Sequence, residues 1–128
     1  MNIYKRRIHH HEFIKEEITS TSKFESTDIV ANIGGLYHVN DPEGILKMSY
    51  QMASKFLIVQ SVVSLESNDE DYFVSPAPGW TWGCRYSKQS FDKMIKRNCP
   101  LIIDQYFNLL NCNGISSKGS MYYLIQKP

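Results

Sequence analysis

The chain is 128 residues long, room for one domain of the common size of about 100–150 residues and too short for a second beside it. Hydrophobic residues make up 42% and charged ones 21%, which excludes a disordered tail or a fibrous repeat and calls for a core. Fourteen Lys and Arg stand against thirteen Asp and Glu, a formal net charge of +1, so no overall field draws in nucleic acid or an anionic membrane.

The longest apolar run, around Phe56–Val63, falls well short of the roughly 20 residues of a membrane-spanning helix, so a soluble protein is expected. The basic start Met1–Arg7 leads into His9-His10-His11-Glu12 rather than an apolar signal core, which predicts a cytoplasmic chain with no secretion signal. Three cysteines, Cys84, Cys99 and Cys112, are odd in number and irregular in spacing, which suits reduced thiols rather than a disulfide framework. The three adjacent histidines would alternate faces on a strand and so do not converge on one metal ion; residues 1–9 read as an exposed basic tail.

From residue 10 the elements follow in order. Phe13, Ile14 and Ile18 predict a short strand over His10–Ile18, and Thr19–Ser22 a loop. Ile29–Ile33 is a mostly apolar run without alternation, as in a strand buried on both faces of a parallel sheet. It runs into Gly34-Gly35, where the absence of a Cβ opens backbone paths closed to other residues. Asp41-Pro42-Glu43 is a helix start: Asp41 caps free amides, Pro42 is preset for the first helical position, and Glu43 complements the dipole. Ile45, Met48, Met52 with Leu46, Tyr50, Ala53 form its apolar stripe, ending near Ser54. Phe56–Val63 is a second buried strand, which completes a βαβ unit.

A lid-like insertion at about 66–87 follows, acidic at Ser67–Asp71 and rich in Pro, Gly and Trp from Tyr72 to Tyr86, read as a long excursion without regular structure. Ser87 caps a helix with Phe91, Met94 and Ile95 on one face, stopped by Arg97–Pro100. Leu101–Leu110 and Met121–Ile125 read as a terminal hairpin around a long turn. The order β, β, α, β, loop, α, β, β predicts an α/β layered sheet.

This order and several segments resemble the second half of the class I, Rossmann-like S-adenosylmethionine-dependent methyltransferases, from about His10 to Pro128. Asp28–Pro42, with Leu36-Tyr37-His38-Val39 followed by Asp41-Pro42, is similar to the family's fourth strand and its substrate-facing turn, and Gly119–Tyr123 to the start of its last strand. The resemblance implies a partial methyltransferase sheet, mainly parallel with a C-terminal antiparallel hairpin, and S-adenosylmethionine as cofactor. The family's strand order is 3-2-1-4-5-7-6. Its cofactor sits mainly on a glycine-rich turn after the first strand, and no G-x-G occurs in this sequence. The first βαβ cofactor-binding unit is thus expected to be lacking, as in a truncated copy. Ile29–Ile33 would then keep an unpaired apolar edge open to a second chain or to self-association.

The same resemblance places His38 in a strand-end turn as a candidate catalytic base, the dull alternative being a residue that caps the turn. Asn32, Gly34, Gly35 and Tyr37 would line the methyl-transfer cleft or simply pack, whereas Asp28 reads as a structural strand-start carboxylate. Trp80, Trp82, Arg85 and Tyr86 suit a lid over a small-molecule substrate with a flat or anionic part, or a lid that merely covers the sheet. Lys93–Arg97 is the polar side of its helix. The implied function is methyl transfer to a small-molecule or sugar-type acceptor. The rival reading is a non-catalytic module that docks through its sheet edge.

Overall fold

The computed structural model describes residues 26–112 and 114–128, so the expected tail over 1–9 and strand over His10–Ile18 lie outside the described residues. Strand β1 (Thr27–Ile33) leads through a single 3-10 turn (Leu36–His38) to helix α1 (Pro42–Met52) and strand β2 (Ala53–Ser64). The two-residue strands β3 (Phe73–Val74) and β4 (Arg85–Tyr86) precede helix α2 (Lys88–Asn98), and the chain closes with β5 (Ile102–Cys112) and β6 (Ile115–Gln126).

The main sheet has four strands in the order β1-β2-β6-β5. β1 is parallel to β2, and β6 is antiparallel to both β2 and β5, so three strands run one way and β6 runs against them. This is the 4-5-7-6 end of the order that the resemblance implies.

The expected helix starts are present for the expected reasons. The Gly44 amide donates to Asp41 Oδ1 at 3.1 Å, with Pro42 and Glu43 in the first turn. Gly44 is part of that cap, since a Cβ there would collide with the Asp41 carboxylate. At the other end of α1 the chain turns extended at Ala53, and Lys127 Nζ reaches back to donate to Tyr50 O and Ala53 O. Helix α2 begins with a reciprocal capping box, the Ser90 amide donating to Ser87 Oγ at 3.0 Å and the Ser87 amide to Ser90 Oγ at 2.9 Å. Phe91, Met94 and Ile95 on α2 and Ile45 and Leu46 on α1 pack onto Leu57, Val59, Met121, Tyr123 and Ile125 of the sheet, and this layer is the core.

Three expectations are corrected. Ile29–Ile33 is a strand but is not buried on both faces: Ile29 is 56% and Ile33 63% exposed, because among the described residues β1 is the edge of the sheet and only its Val30 and Asn32 side packs toward α1. The segment read as a long turn before Met121 is strand: Cys112 pairs with Ile115, with Gly114 at φ +77, so β6 starts six residues earlier than the apolar run suggested. Asn-Gly between two strand runs is a strong hairpin signal that the polar stretch Ser116–Ser120 masked. Finally, the excursion over 66–87 has regular structure, since β3 and β4 pair as a short antiparallel ribbon.

Candidate functional site

In open α/β sheets ligands bind outside the carboxyl ends of the parallel strands. Here that edge holds a cavity of about 380 Å³. Tyr37 and His38, just after β1, line it together with Val62, Val63 and Ser64 at the end of β2. The insertion contributes Ala77, Trp80, Trp82, Cys84 and Arg85, and the β5–β6 hairpin adds Leu110 and Lys118.

The insertion is fastened over this edge as a flap. The Cys84 amide donates to Tyr37 O at 3.1 Å and its thiol to Leu36 O at 3.3 Å. The Gly83 amide donates to Asn40 Oδ1 at 3.1 Å, and Ser75 Oγ to Gly83 O at 2.9 Å. Gly83 sits at φ +80, where a Cβ would also come within 2.7 Å of Tyr37 O, so this close approach of flap to turn requires glycine. At the base of the flap, the buried Ser87 hydroxyl donates to Asp69 O at 2.7 Å.

His38 forms part of an aromatic stack. Its ring lies 4.1 Å from that of Tyr37 and 5.2 Å from that of Trp82, the latter pair stacked at 24°, and Trp80 meets Trp82 edge-on at 5.5 Å. Trp80 is 61% and Trp82 44% exposed, so the wall they form is open to an incoming ligand. Burial pushes the Cys84 thiol up to about 12 and that of Cys99 up to about 11, which keeps both protonated and poor nucleophiles. Among the described residues no group of His, Cys, Asp and Glu is placed to hold a metal ion.

Of the residues singled out in the sequence, Tyr37, His38, Trp80, Trp82 and Arg85 share this cavity. Asn32 does not: it points to the helix side, donating from Nδ2 to Ser49 Oγ at 3.1 Å and so tying β1 to α1. Tyr86 is also elsewhere, buried between Phe73 and Phe91, its phenol raised by burial. Gly34, at φ +70, extends the ladder by donating to Gln60 O, and Gly35 precedes the 3-10 turn; neither lines the cavity. Asp28 is a surface carboxylate that accepts from Ser54 Oγ, as read. The sequence reading missed Val62–Ser64, Ala77, Cys84, Leu110 and Lys118. The strand-end rule marks the first group, whereas Lys118 arrives only through the register that sets it opposite Ser64 and Leu110.

No family model and no curated protein matches this sequence. The likeness is to solved structures. A protein from Bacillus halodurans described as a methyltransferase matches with a TM-score of 0.65 and 11% identity, over 93% of this chain and 78% of that one. The N-terminal domain of EvdMO1, solved with SAH bound, matches with a TM-score of 0.60 and 13% identity, over 88% of this chain and 52% of that one. Magnesium protoporphyrin IX methyltransferase from Synechocystis, also with bound SAH, matches at 0.50 and 10% identity, over 83% and 48%. The chain shares part of the Rossmann-like α/β fold of these methyltransferase structures. It spans about half the length of the EvdMO1 domain.

No G-x-G turn of the kind on which the family holds its cofactor occurs in the sequence. A Cβ at Gly79 or Gly114 would meet nothing within 4 Å, at Gly34 it would meet only Gln60 Oε1 at 3.8 Å, and Gly83 is packed on its own chain.

Proposed function

We propose that this chain provides the acceptor-binding side of an S-adenosylmethionine-dependent methyltransferase acting on a small-molecule or sugar-type acceptor. The observation that carries the reading is the flap-covered cavity at the carboxyl ends of β1, β2 and β5 in a sheet of methyltransferase order. His38 acts as the base, taking a proton from the acceptor's nucleophilic oxygen or nitrogen, while Tyr37, Trp80, Trp82 and Arg85 hold the acceptor. S-adenosylmethionine is the donor by likeness of fold, and because the sequence has no G-x-G turn the chain alone binds it poorly. The buried free thiols Cys84 and Cys99 support a reducing, cytoplasmic setting.

A second reading is favoured by the flank of β1, which no other described strand pairs, with Ile29 and Ile33 exposed. In it, a partner chain adds a strand beside β1 and covers those side chains, and the cavity serves no reaction. Calorimetric titration of the chain with S-adenosylhomocysteine separates the two. Saturable heat, even at weak affinity, supports the enzyme. No heat at any accessible concentration, together with self-association in sedimentation at low concentration, replaces it with the second reading.

A further inference from the structure

We propose that the acceptor cavity is an anion-selective pocket whose substrate class is a small planar carboxylate, held by Arg85 and Lys118 against the wall of Tyr37, Trp80 and Trp82. The proposal rests on the acceptor-site reading above and narrows it.

Two cations reach this cavity from independent parts of the fold, Arg85 from the flap strand β4 and Lys118 from β6 in the sheet. Among the described residues no Asp or Glu lines it and neither cation is ion-paired. The chain as a whole is nearly neutral at +1, so a doubly positive mouth is a local feature and not a reflection of composition. Elsewhere on the surface Lys55, Lys93, Lys96 and Arg97 have carboxylate partners, whereas among the described residues Lys47, Lys88 and Lys127 have none.

The remaining wall fixes the shape of the ligand. Flat aromatic faces from Tyr37, Trp80 and Trp82, backed by Val62 and Leu110, accept a ring and displace water from it. Charge-assisted hydrogen bonds strengthen as water is excluded, and the planar guanidinium of Arg85 matches a carboxylate in a bidentate pair. A neutral ring of the same shape would displace that water and leave both cations without a counter-charge; a cationic one would be repelled.

The chain contains two tryptophans, and both line this cavity, so intrinsic fluorescence reports it directly. Titration of the full chain, without cofactor, compares benzoate, benzamide and benzylamine. Benzoate should give a saturable change about tenfold tighter than benzamide, and benzylamine none. Arg85→Gln and Lys118→Gln should each weaken benzoate about tenfold and leave benzamide unchanged, whereas Arg85→Lys and Lys118→Arg keep the preference for benzoate. Equal affinity for benzoate and benzamide in the unaltered chain, or no saturable change with benzoate, overturns the proposal, and neither result depends on the variants folding. Because no cofactor is present, this outcome is independent of the S-adenosylhomocysteine titration that tests the methyltransferase reading.

Discussion

On the helix side of the sheet Leu57, Val59, Met121, Tyr123 and Ile125 are at most 1% exposed, whereas on the opposite side Ile33 and Tyr106 are each 63% and Ile29 56% exposed. Both sides are rich in apolar and aromatic residues, because alternate residues of the same strands supply them. What separates them is the layer above. Helices α1 and α2 cover one side, and among the described residues no element covers the other. Burial is therefore a property of the layers a fold stacks, and an apolar sheet face calls for a covering layer that the hydrophobicity of its own strands does not supply.

The largest expected effect lies on the covered side. Phe91 is fully buried, its ring 5.5 Å from that of Tyr86 and 6.0 Å from that of Tyr123, so it joins the flap base, α2 and the sheet. Phe91→Ala should cost about 3–5 kcal/mol in urea unfolding. Ile33→Thr and Tyr106→Ser on the other side should change stability by no more than about 0.5 kcal/mol and reduce binding of an apolar dye. If those two substitutions cost as much as Phe91→Ala, the face is covered in solution and the contrast disappears.

A smaller effect is expected where the covered side meets the flap. Ser87 is buried, accepts from the Ser90 amide to start α2, and donates to Asp69 O in the flap's acidic base. Ser87→Ala removes both bonds and should cost about 2 kcal/mol. Asp41→Ala, which removes an exposed cap at the start of α1, should cost about 1 kcal/mol or less in the same assay.

The parts of this fold that local chemistry dictates were legible in the sequence. Asp41-Pro42 and Ser87 announced both helices, and the order of elements led to the methyltransferase-like sheet. Side-chain direction was less legible. Asn32 is turned toward α1, a direction that strand alternation resolves only once a helix is known to cover one face, whereas Tyr37 lies beyond the strand in the 3-10 turn and faces the cavity. Tyr86 next to Arg85 separates in the same way, the tyrosine into the core and the arginine to the cavity. Lys118 depends on a cross-strand register that a misjudged turn concealed.

A comparably small effect concerns what holds the covering helices to each other. Glu43 near the start of α1 accepts from Arg97 Nε and from Asn98 Nδ2 at the end of α2, each at 2.9 Å. The hydrogen bond from Arg97, followed by that from Asn98, holds the Glu43 carboxyl down at about 2, against an ordinary value of 4.5. A carboxyl depressed in the folded chain binds its proton more readily when unfolded, so its stabilisation is complete above about pH 4.5 and is lost as pH falls toward about 2. Arg97 is 52% and Glu43 32% exposed, so solvent screens the pair and the loss should be about 1 kcal/mol rather than the full value the shift implies. Urea unfolding of the unaltered chain and of Glu43→Gln, compared at about pH 6 and about pH 3, measures it. The two should differ at the higher pH, and the difference should shrink at the lower. If they run parallel across that range, the helices are held to the sheet by the core alone, and the link between them adds nothing to the side that is covered.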